Sequence, residues 1–297
     1  MRVRIGTRDS ELAMTQTRIV AEYIKKYDEN IEIEIIPMKT TGDKILDVAL
    51  DKIGGKGLFV KELDDALYEN RVDITVHSFK DMPMGENPDL PIVAISKRED
   101  PRDVLITKGD KTVDRETCVV GTSSKRREVQ LREMGYRNII PIRGNIFTRL
   151  RKLDEGEFDA IVLAAAGIKR SGLESRIKQY FTIDEMIPAA CQGNLAVQGR
   201  RGEDFSFLKY LHDEEASIIA KSERAFVTTL DGGCSVPIAA YGLVENHIIK
   251  MTGMYVSPQG EMFIEQVEGD IKEAITLGIS LAEKILTKGI GIDGYKQ

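Results

Sequence analysis

The N-terminal third of the chain alternates strand-like and helix-like patterns of apolar and polar residues. Apolar residues at helical spacing predict helices at residues 12–27 and 60–68, the first of them directly after the candidate N-cap Ser10. Short apolar runs or strict apolar–polar alternation predict strands at residues 2–6, 31–38 and 72–77. This regular order of strand and helix predicts βαβ units around a mostly parallel sheet.

A weak internal repeat connects this region with the middle of the chain. Residues 3–10 (VRIGTRDS) and 119–124 (VVGTSS) both combine a strand, a Gly-Thr pair and polar residues that open a helix. Residues 67–74 and 153–160 both combine a helix end, a turn and an apolar strand. The repeat predicts two α/β domains of similar topology, although the spacing between the matches differs.

The last third of the chain has a different pattern. Helical spacing at residues 213–229 is followed by a turn at 232–237, a strand pair at 238–256 and an amphipathic helix at 270–286, which together predict a small α+β domain. Charged residues around Pro101 and a segment containing Pro188 are the candidate crossings between domains. Domain 1 is predicted at residues 1–95 and 194–212, domain 2 at 99–189 and domain 3 at 213–297.

Composition excludes several classes of protein. Of the 297 residues, 42% are hydrophobic and 30% charged, as in ordinary soluble domains, and the chain has no apolar run of about 18 residues that could cross a membrane. Its beginning lacks the apolar core of a signal peptide, so we expect a cytoplasmic protein. The net charge of −6 gives no bulk attraction to nucleic acid or to an anionic membrane, and we expect neither partner. Residues 121–152 nevertheless hold nine Lys or Arg and two acids, which indicates either a local anion site or a solvated helix face.

Three polar clusters follow predicted strands, at residues 7–10, 77–81 and 122–127. Ligands of open α/β sheets bind beyond the carboxyl ends of the strands, and free N–H groups at helix starts favour anions. Serine and threonine are also common N-caps, so one such cluster alone indicates little. Arginine pairs with carboxylates through two parallel hydrogen bonds. A ligand with several carboxylates could therefore be bound by a set of arginines. These are Arg8, Arg126, Arg127, Arg143, Arg149 and Arg170.

Asp81 is the candidate catalytic acid. It follows an apolar strand and precedes Met82-Pro83, where an ionised carboxylate can stabilise a developing cation or can simply form a turn. Cys234 lies after two glycines and before Ser-Val-Pro, which indicates a nucleophile, an attachment point or a small buried residue. The three cysteines are far apart, so neither a disulfide framework nor a metal site is expected. We expect Cys118 to be a core residue and His77 to be structural.

Together these motifs resemble the porphobilinogen deaminase family. They stand in the family's order along nearly the whole chain, and His-Ser-x-Lys-Asp combined with Gly-Gly-Cys is highly specific. The matching segments are residues 7–10 (TRDS), 54–59 (GGKGLF), 77–81 (HSFKD), 121–127 (GTSSKRR), 143–145 (RGN), 164–167 (AAAG) and 232–234 (GGC). The resemblance implies an α/β fold with two domains like the halves of a periplasmic binding protein, joined by two crossing segments, plus a small C-terminal α+β domain.

The resemblance also implies an activity and a set of roles. Four porphobilinogen molecules would be joined in turn, each with loss of ammonia, on a dipyrromethane cofactor bound through a thioether to Cys234, and the product would be released by water as hydroxymethylbilane. Asp81 would hold the pyrrole N–H and stabilise the cation that ammonia loss leaves. A monomer is implied. The residues implied to bind cofactor and substrate are Arg8, Ser10, Ser78, Lys80, Thr122, Ser124, Arg126, Arg127, Arg143, Gly144, Asn145, Arg149 and Arg170.

The chain departs from the family pattern near the second crossing. Cys191 and Asn194 stand where the family usually has Gly and Ala, and Gln198 replaces a common Glu. Lys125 stands where Leu is usual. Two rival hypotheses remain: a non-enzymatic two-lobed protein that captures a small carboxylate, and a nucleic-acid protein that uses residues 121–152. The second lacks interleaved aromatic residues in that stretch.

Overall fold

The computed structural model describes residues 1–44, 60–85, 87–109, 112–230 and 236–289, and at 43, 44 and 289 it describes the backbone alone. The chain divides into two compact units. The first contains Met1–Asp100, Ala166–Gly172 and Gly193–Ser217. The second contains Pro101–Ala165, Leu173–Gln192 and Ile218–Gln297. No helix in the described part of the chain is long and apolar enough to span a bilayer.

The strands are β1 (Arg2–Arg8), β2 (Glu32–Met38), β3 (Ile74–Ser78), β4 (Ile92–Ile95), β5 (Asp103–Thr107), β6 (Val119–Gly121), β7 (Asn138–Ile140), β8 (Ala160–Ala164), β9 (Ile177–Tyr180), β10 (Leu195–Gly199), β11 (Ile238–Glu245), β12 (Ile248–Val256) and β13 (Met262–Asp270). The helices are α1 (Glu11–Tyr27), α2 (Thr41–Lys44), α3 (Lys61–Tyr68), α4 (Lys125–Glu133), α5 (Ile146–Glu155), α6 (Ala165–Arg170), α7 (Glu214–Thr229) and α8 (Ala274–Gly289).

The first unit is built on a five-stranded sheet in the order β2-β1-β3-β10-β4. Strands β2, β1 and β3 run parallel, whereas β10 is antiparallel to both β3 and β4. The predicted mostly parallel sheet is therefore wrong for half of its strand pairs. All of β10 is buried and it is apolar except for Gln198, so its pattern indicates burial on both faces but not strand direction. The core against this sheet includes Val3, Ile5, Ile74, Val76 and Val197.

The sheet of the second unit repeats this topology in the order β7-β6-β8-β5-β9. Strands β7, β6 and β8 are parallel, and β5 is antiparallel to β8 and β9. The internal repeat is confirmed, since β1-α1 corresponds to β6-α4 and α3-β3 corresponds to α5-β8. Each sheet receives its antiparallel strand, β10 or β5, directly after a crossing segment of the chain.

A three-stranded antiparallel sheet, β11-β12-β13, completes the second unit together with α8 and most of α7. The predicted strand pair at 238–256 is confirmed, but the predicted start of the last helix at Asp270 is wrong. Asp270 ends β13, and its side chain accepts a hydrogen bond from the Lys272 N–H at 2.8 Å in the turn before α8. Ala239 and Met254 of this sheet pack on Ile187. The α/β fold with two like sheets and a small C-terminal α+β part is confirmed, while the three domain limits stay a prediction.

Candidate active site

Asp81 lies on a short turn at the carboxyl end of β3. The turn is a single 3₁₀ turn at Phe79–Asp81. The Phe79 side chain is buried and its N–H donates to the Asn194 carbonyl at 3.0 Å, while the Met82 N–H donates back to the Phe79 carbonyl at 3.2 Å. The Asp81 side chain is exposed, and within the described residues its carboxylate has no hydrogen-bond or ion-pair partner. The fold thus fixes the backbone of the turn that carries this exposed carboxylate.

The same edge of the sheet carries the other predicted residues of the first unit. Arg8 ends β1, which runs parallel beside β3, so the side chains that follow both strands lie at one edge. Ser10 is the N-cap of α1, and its Oγ accepts from the Ala13 N–H at 3.4 Å. The Ser78 hydroxyl accepts from Gln16 Nε2 at 2.8 Å. This edge of the sheet therefore brings together Arg8, Ser10, Ser78, Lys80 and Asp81. The two serine hydroxyls already accept hydrogen bonds from other residues of the protein.

His77 lies in β3 and is buried, as expected of a structural residue. Burial lowers its pKa to about 4, and the positive charge of Arg8 acts in the same direction. Its Nε2 is 2.9 Å from Thr75 Oγ1. The imidazole is therefore neutral at physiological pH.

Arg170, at the end of α6, is also engaged by the fold. Its Nη2 donates to the Gly193 carbonyl at 2.6 Å. Burial lowers its pKa to about 10, against the opposing effect of Glu99, so the guanidinium stays charged at neutral pH. Its predicted contact with a ligand carboxylate stays a prediction.

In the second unit, Thr122 and Ser124 form the start of α4. Ser124 is the N-cap, with its Oγ accepting from the Arg127 N–H at 3.4 Å. The Thr122 hydroxyl accepts from the Ser124 N–H at 3.2 Å, and Ser123 donates to the Ile142 carbonyl at 2.7 Å. This geometry is that of a well-formed helix start. Lys125 pairs with Glu128 at 3.1 Å on the exposed helix surface.

Arg126 and Arg127 share one buried carboxylate, that of Asp103 in β5. Arg126 Nη1 donates to Asp103 Oδ2 at 2.7 Å, while Arg127 Nε and Nη2 donate to Oδ1 at 3.0 and 2.7 Å. Gln192 Nε2 also donates to Oδ1 at 3.0 Å. Burial lowers the pKa of Arg126, which Asp103 opposes. Two guanidinium groups against one carboxylate leave this cluster with a surplus positive charge.

Sequence reasoning missed Asp103 and the side-chain role of Gln192. The available signal is a charged residue at the start of the otherwise apolar run DVLIT, because a buried acid requires a partner. Asp103 is 0% exposed, so the arginines stabilise the fold as well as providing charge.

The Arg-Gly-Asn segment, residues 143–145, leads into α5 and has the residues that this helix start requires. Gly144 has a φ of +109°, and a Cβ there would lie 2.6 Å from Thr148 Cγ2. Asn145 is the N-cap, with its Oδ1 accepting from the Thr148 N–H at 2.9 Å. Arg149 Nε donates to the Gly144 carbonyl at 2.7 Å, and Arg143 is half-buried. The segment places two guanidinium groups on either side of a helix start.

Two of the motifs lie outside the described residues, namely 54–59 and the segment that contains Cys234. Cys118 and Cys191 are both buried. Within the described ranges, no group of three or more His, Cys, Asp or Glu side chains is arranged to hold a metal ion.

Comparisons with known proteins identify the family. The family model described as "Porphobilinogen deaminase, dipyromethane cofactor binding domain" matches residues 3–206, and the model "Porphobilinogen deaminase, C-terminal domain" matches residues 218–287. A porphobilinogen deaminase of Ruminiclostridium josui is 56% identical over 287 residues, 96% of this chain and 97% of that protein. One of Alkaliphilus oremlandii (strain OhILAs) is 55% identical over 285 residues, 95% of this chain and 96% of that protein.

Similar solved structures include the BenM effector binding domain with benzoate, at 16% identity and a TM-score of 0.42 over 71% of this chain and 88% of that one. Another is the periplasmic VFT2 domain of Bordetella pertussis BvgS, at 13% identity and a TM-score of 0.41 over 75% of this chain and 93% of that one. The family models and the curated relatives support the enzyme and not the non-enzymatic binding protein. The chain therefore belongs to the porphobilinogen deaminase family.

Proposed function

We propose that Asp81 is the catalytic carboxylate of this enzyme. The observation that carries the proposal is the exposed carboxylate on a fixed turn at the strand edge, with no partner in the described part of the chain. Loss of ammonia from porphobilinogen leaves a cation on the substrate. An ionised carboxylate that is already in position stabilises such a charge without having to reorganise.

The reaction is that of the family. Four porphobilinogen molecules are joined with loss of ammonia, and water releases hydroxymethylbilane. The dipyrromethane cofactor supplies the pyrrole end to which the first substrate is added. The residues of this chain bind and orient the acetate and propionate groups and hold the carboxylate of Asp81 at the pyrrole N–H.

The arginine-rich helix starts of the second unit are the proposed carboxylate sites. Arg126 and Arg127 leave a surplus positive charge after pairing with Asp103, which suits a ligand with several carboxylates. Arg143 and Arg149 flank the start of α5, where N–H groups and the helix dipole also favour anions. Arg8, Lys80 and Arg170 would supply charge from the first unit, and Ser10, Ser78, Thr122, Ser124, Gly144 and Asn145 polar or backbone contacts.

Cys234 is the proposed attachment point of the cofactor. Of the other two cysteines, Cys191 is 1% exposed, and burial raises the pKa of the Cys118 thiol. Neither thiol is accessible to a bulky group. Intact mass followed by peptide mapping tests the assignment: a dipyrrole adduct on the Cys234 peptide is expected, and an adduct on the Cys191 peptide, or one that survives Cys234→Ser, contradicts it.

Asp81→Asn tests the catalytic role. Removing the charge at constant size is expected to lower product formation about a hundredfold or more, as for other losses of transition-state electrostatics. The adduct mass and the melting temperature should stay unchanged. Asp89→Asn is the matched control, because Asp89 is also an exposed aspartate of the first unit. Near-normal hydroxymethylbilane formation by Asp81→Asn removes Asp81 from the mechanism.

The enzyme is further proposed to work as a cytoplasmic monomer that uses neither nucleic acid nor a membrane. The net charge of −6 supports the exclusion of nucleic acid. Sedimentation equilibrium of the holoenzyme should give a mass near 33.2 kDa, and a concentration-dependent dimer mass contradicts the monomer.

A further inference from the structure

Asn194 is a buried polar residue directly before β10, at 1% exposure. Both ends of its side-chain amide are engaged. Nδ2 donates to the Ser96 carbonyl at 3.0 Å, and Oδ1 accepts from Arg98 Nε at 3.1 Å. The amide therefore joins the segment in which the chain returns to the first unit to the segment by which it leaves that unit.

Main-chain contacts surround this side chain. The Ser96 N–H donates to the Leu195 carbonyl and the Leu195 N–H to Ser96 Oγ, both at 2.9 Å. The Glu99 N–H donates to the Gly193 carbonyl at 3.2 Å. The two segments are thus paired from residue 96 to residue 99, and Asn194 lies at the centre of the pairing.

The same residue also contacts the turn that carries Asp81. Its main-chain carbonyl accepts from the Phe79 N–H at 3.0 Å, which extends the β3–β10 pairing by one residue into the turn. Asn194 therefore bonds the turn through its backbone and the departing segment through its side chain. Movement of its backbone would move Phe79, and Asp81 is only two residues further along.

We propose that Asn194 is a positioning residue, which fixes the Phe79–Asp81 turn by anchoring it to the Ser96–Arg98 segment. The inference rests on the proposed function of Asp81 as the catalytic carboxylate. An alanine at this position has no group that can make either side-chain bond. The side-chain anchor therefore adds to the main-chain pairing.

The test compares Asn194→Ala with wild-type holoenzyme in steady-state turnover of porphobilinogen. Because misplacement of a reacting group on the ångström scale costs up to about a hundredfold, kcat is expected to fall about tenfold with KM within about twofold. Amide exchange in a peptide spanning 74–85 should become faster, while a peptide spanning β1 should not change. Gln198→Ala is the matched control, because it removes another buried amide of the same strand segment, which donates to the Leu90 carbonyl at 2.9 Å.

Two outcomes overturn the proposal: a kcat of Asn194→Ala within twofold of wild type, or an equal loss of kcat in Gln198→Ala at a matched fall in melting temperature. If Asn194→Ala does not fold, Asn194→Asp decides. It keeps the size and the acceptor for Arg98 but sets an oxygen against the Ser96 carbonyl, so the same loss of kcat is expected. Asp81→Asn in the same assay separates the two proposals. If Asp81→Asn is fully active, the catalytic role of Asp81 is contradicted, whereas the anchoring of the turn by Asn194 is not.

Discussion

His77 shows how burial decides the charge of a single side chain. It is buried in β3, and its pKa is lowered to about 4, chiefly by loss of solvation and further by the charge of Arg8. In the unfolded chain the imidazole regains its ordinary pKa near 6.5. Between these two values the unfolded state binds a proton that the native state does not, so acid favours unfolding.

We predict that His77 destabilises the fold progressively as the pH falls from 6.5 towards 4. Above pH 6.5 both states are neutral and the effect vanishes. Across the window the loss amounts to about 3 kcal/mol, at 1.36 kcal/mol per pKa unit. His77→Gln, which keeps a hydrogen-bonding group but does not ionise, should lose less unfolding free energy over this range in urea titrations. Equal pH slopes for the two proteins contradict the prediction.

Cys191 carries backbone strain, since it is a non-glycine residue with a positive φ. Its φ is +60°, a conformation that costs a residue with a Cβ about 1 kcal/mol or more. The fold holds it there because its N–H donates to the Glu223 carboxylate at 2.6 Å. The Sγ makes a long contact of 3.9 Å with the Ala220 carbonyl.

We predict that Cys191→Gly is more stable than Cys191→Ala by about 1 kcal/mol. Both variants lose the buried thiol, but only glycine removes the strain, so their difference isolates the backbone contribution. Both should retain the dipyrrole adduct. Guanidinium unfolding of the two variants measures the difference, and an alanine variant at least as stable as the glycine variant shows that φ carries no strain at this position.

At the scale of elements, the sequence predicted the starts of α1, α3 and α7 to within one residue, because the signals of a helix start are local, but it placed that of α8 at Asp270, where β13 ends. Ser10 caps α1 as predicted, and the Gly-Thr repeat marks the starts of both α1 and α4. It did not predict the antiparallel direction of β10, which depends on how the chain re-enters the sheet. It also missed β13, where the alternation at residues 262–270 leaves one face exposed.

Gly193, in the second crossing segment, occupies a position where no side chain can be added without a clash. Its φ is +101°, and a Cβ there would lie 2.3 Å from the Glu99 carbonyl oxygen, which is backbone and cannot turn away. We predict that Gly193→Ala costs at least about 3 kcal/mol more than Gly202→Ala, because the control has a similar φ of +84° with nothing within 4 Å of the added Cβ. Urea unfolding compares the two, and similar losses contradict the close approach.

At the scale of the whole molecule, charges that suit a polyanionic ligand also serve the fold. From sequence, Arg126, Arg127 and Arg143 form one class of ligand-binding residues. The structure separates them, because the first two pair with the buried Asp103 of β5 and Arg143 is half-buried beside a helix start. No local pattern in the sequence relates Asp103 to α4, since 23 residues separate Asp103 from Arg126 along the chain.

We therefore predict that Arg127→Leu lowers the free energy of unfolding by about 3–5 kcal/mol, the cost of breaking a buried ion pair on one side. Arg127 donates two hydrogen bonds to Asp103 Oδ1 and a third, at 3.0 Å, to the Val162 carbonyl, so its loss strips partners from both β5 and β8. Arg143→Leu should change the stability by less than about 1 kcal/mol while still weakening chain elongation. Denaturant unfolding, together with the distribution of enzyme-bound intermediates by mass spectrometry, separates the two effects. A stable Arg127→Leu protein with blocked elongation would instead assign this arginine to the ligand alone and leave Asp103 to be neutralised by Arg126.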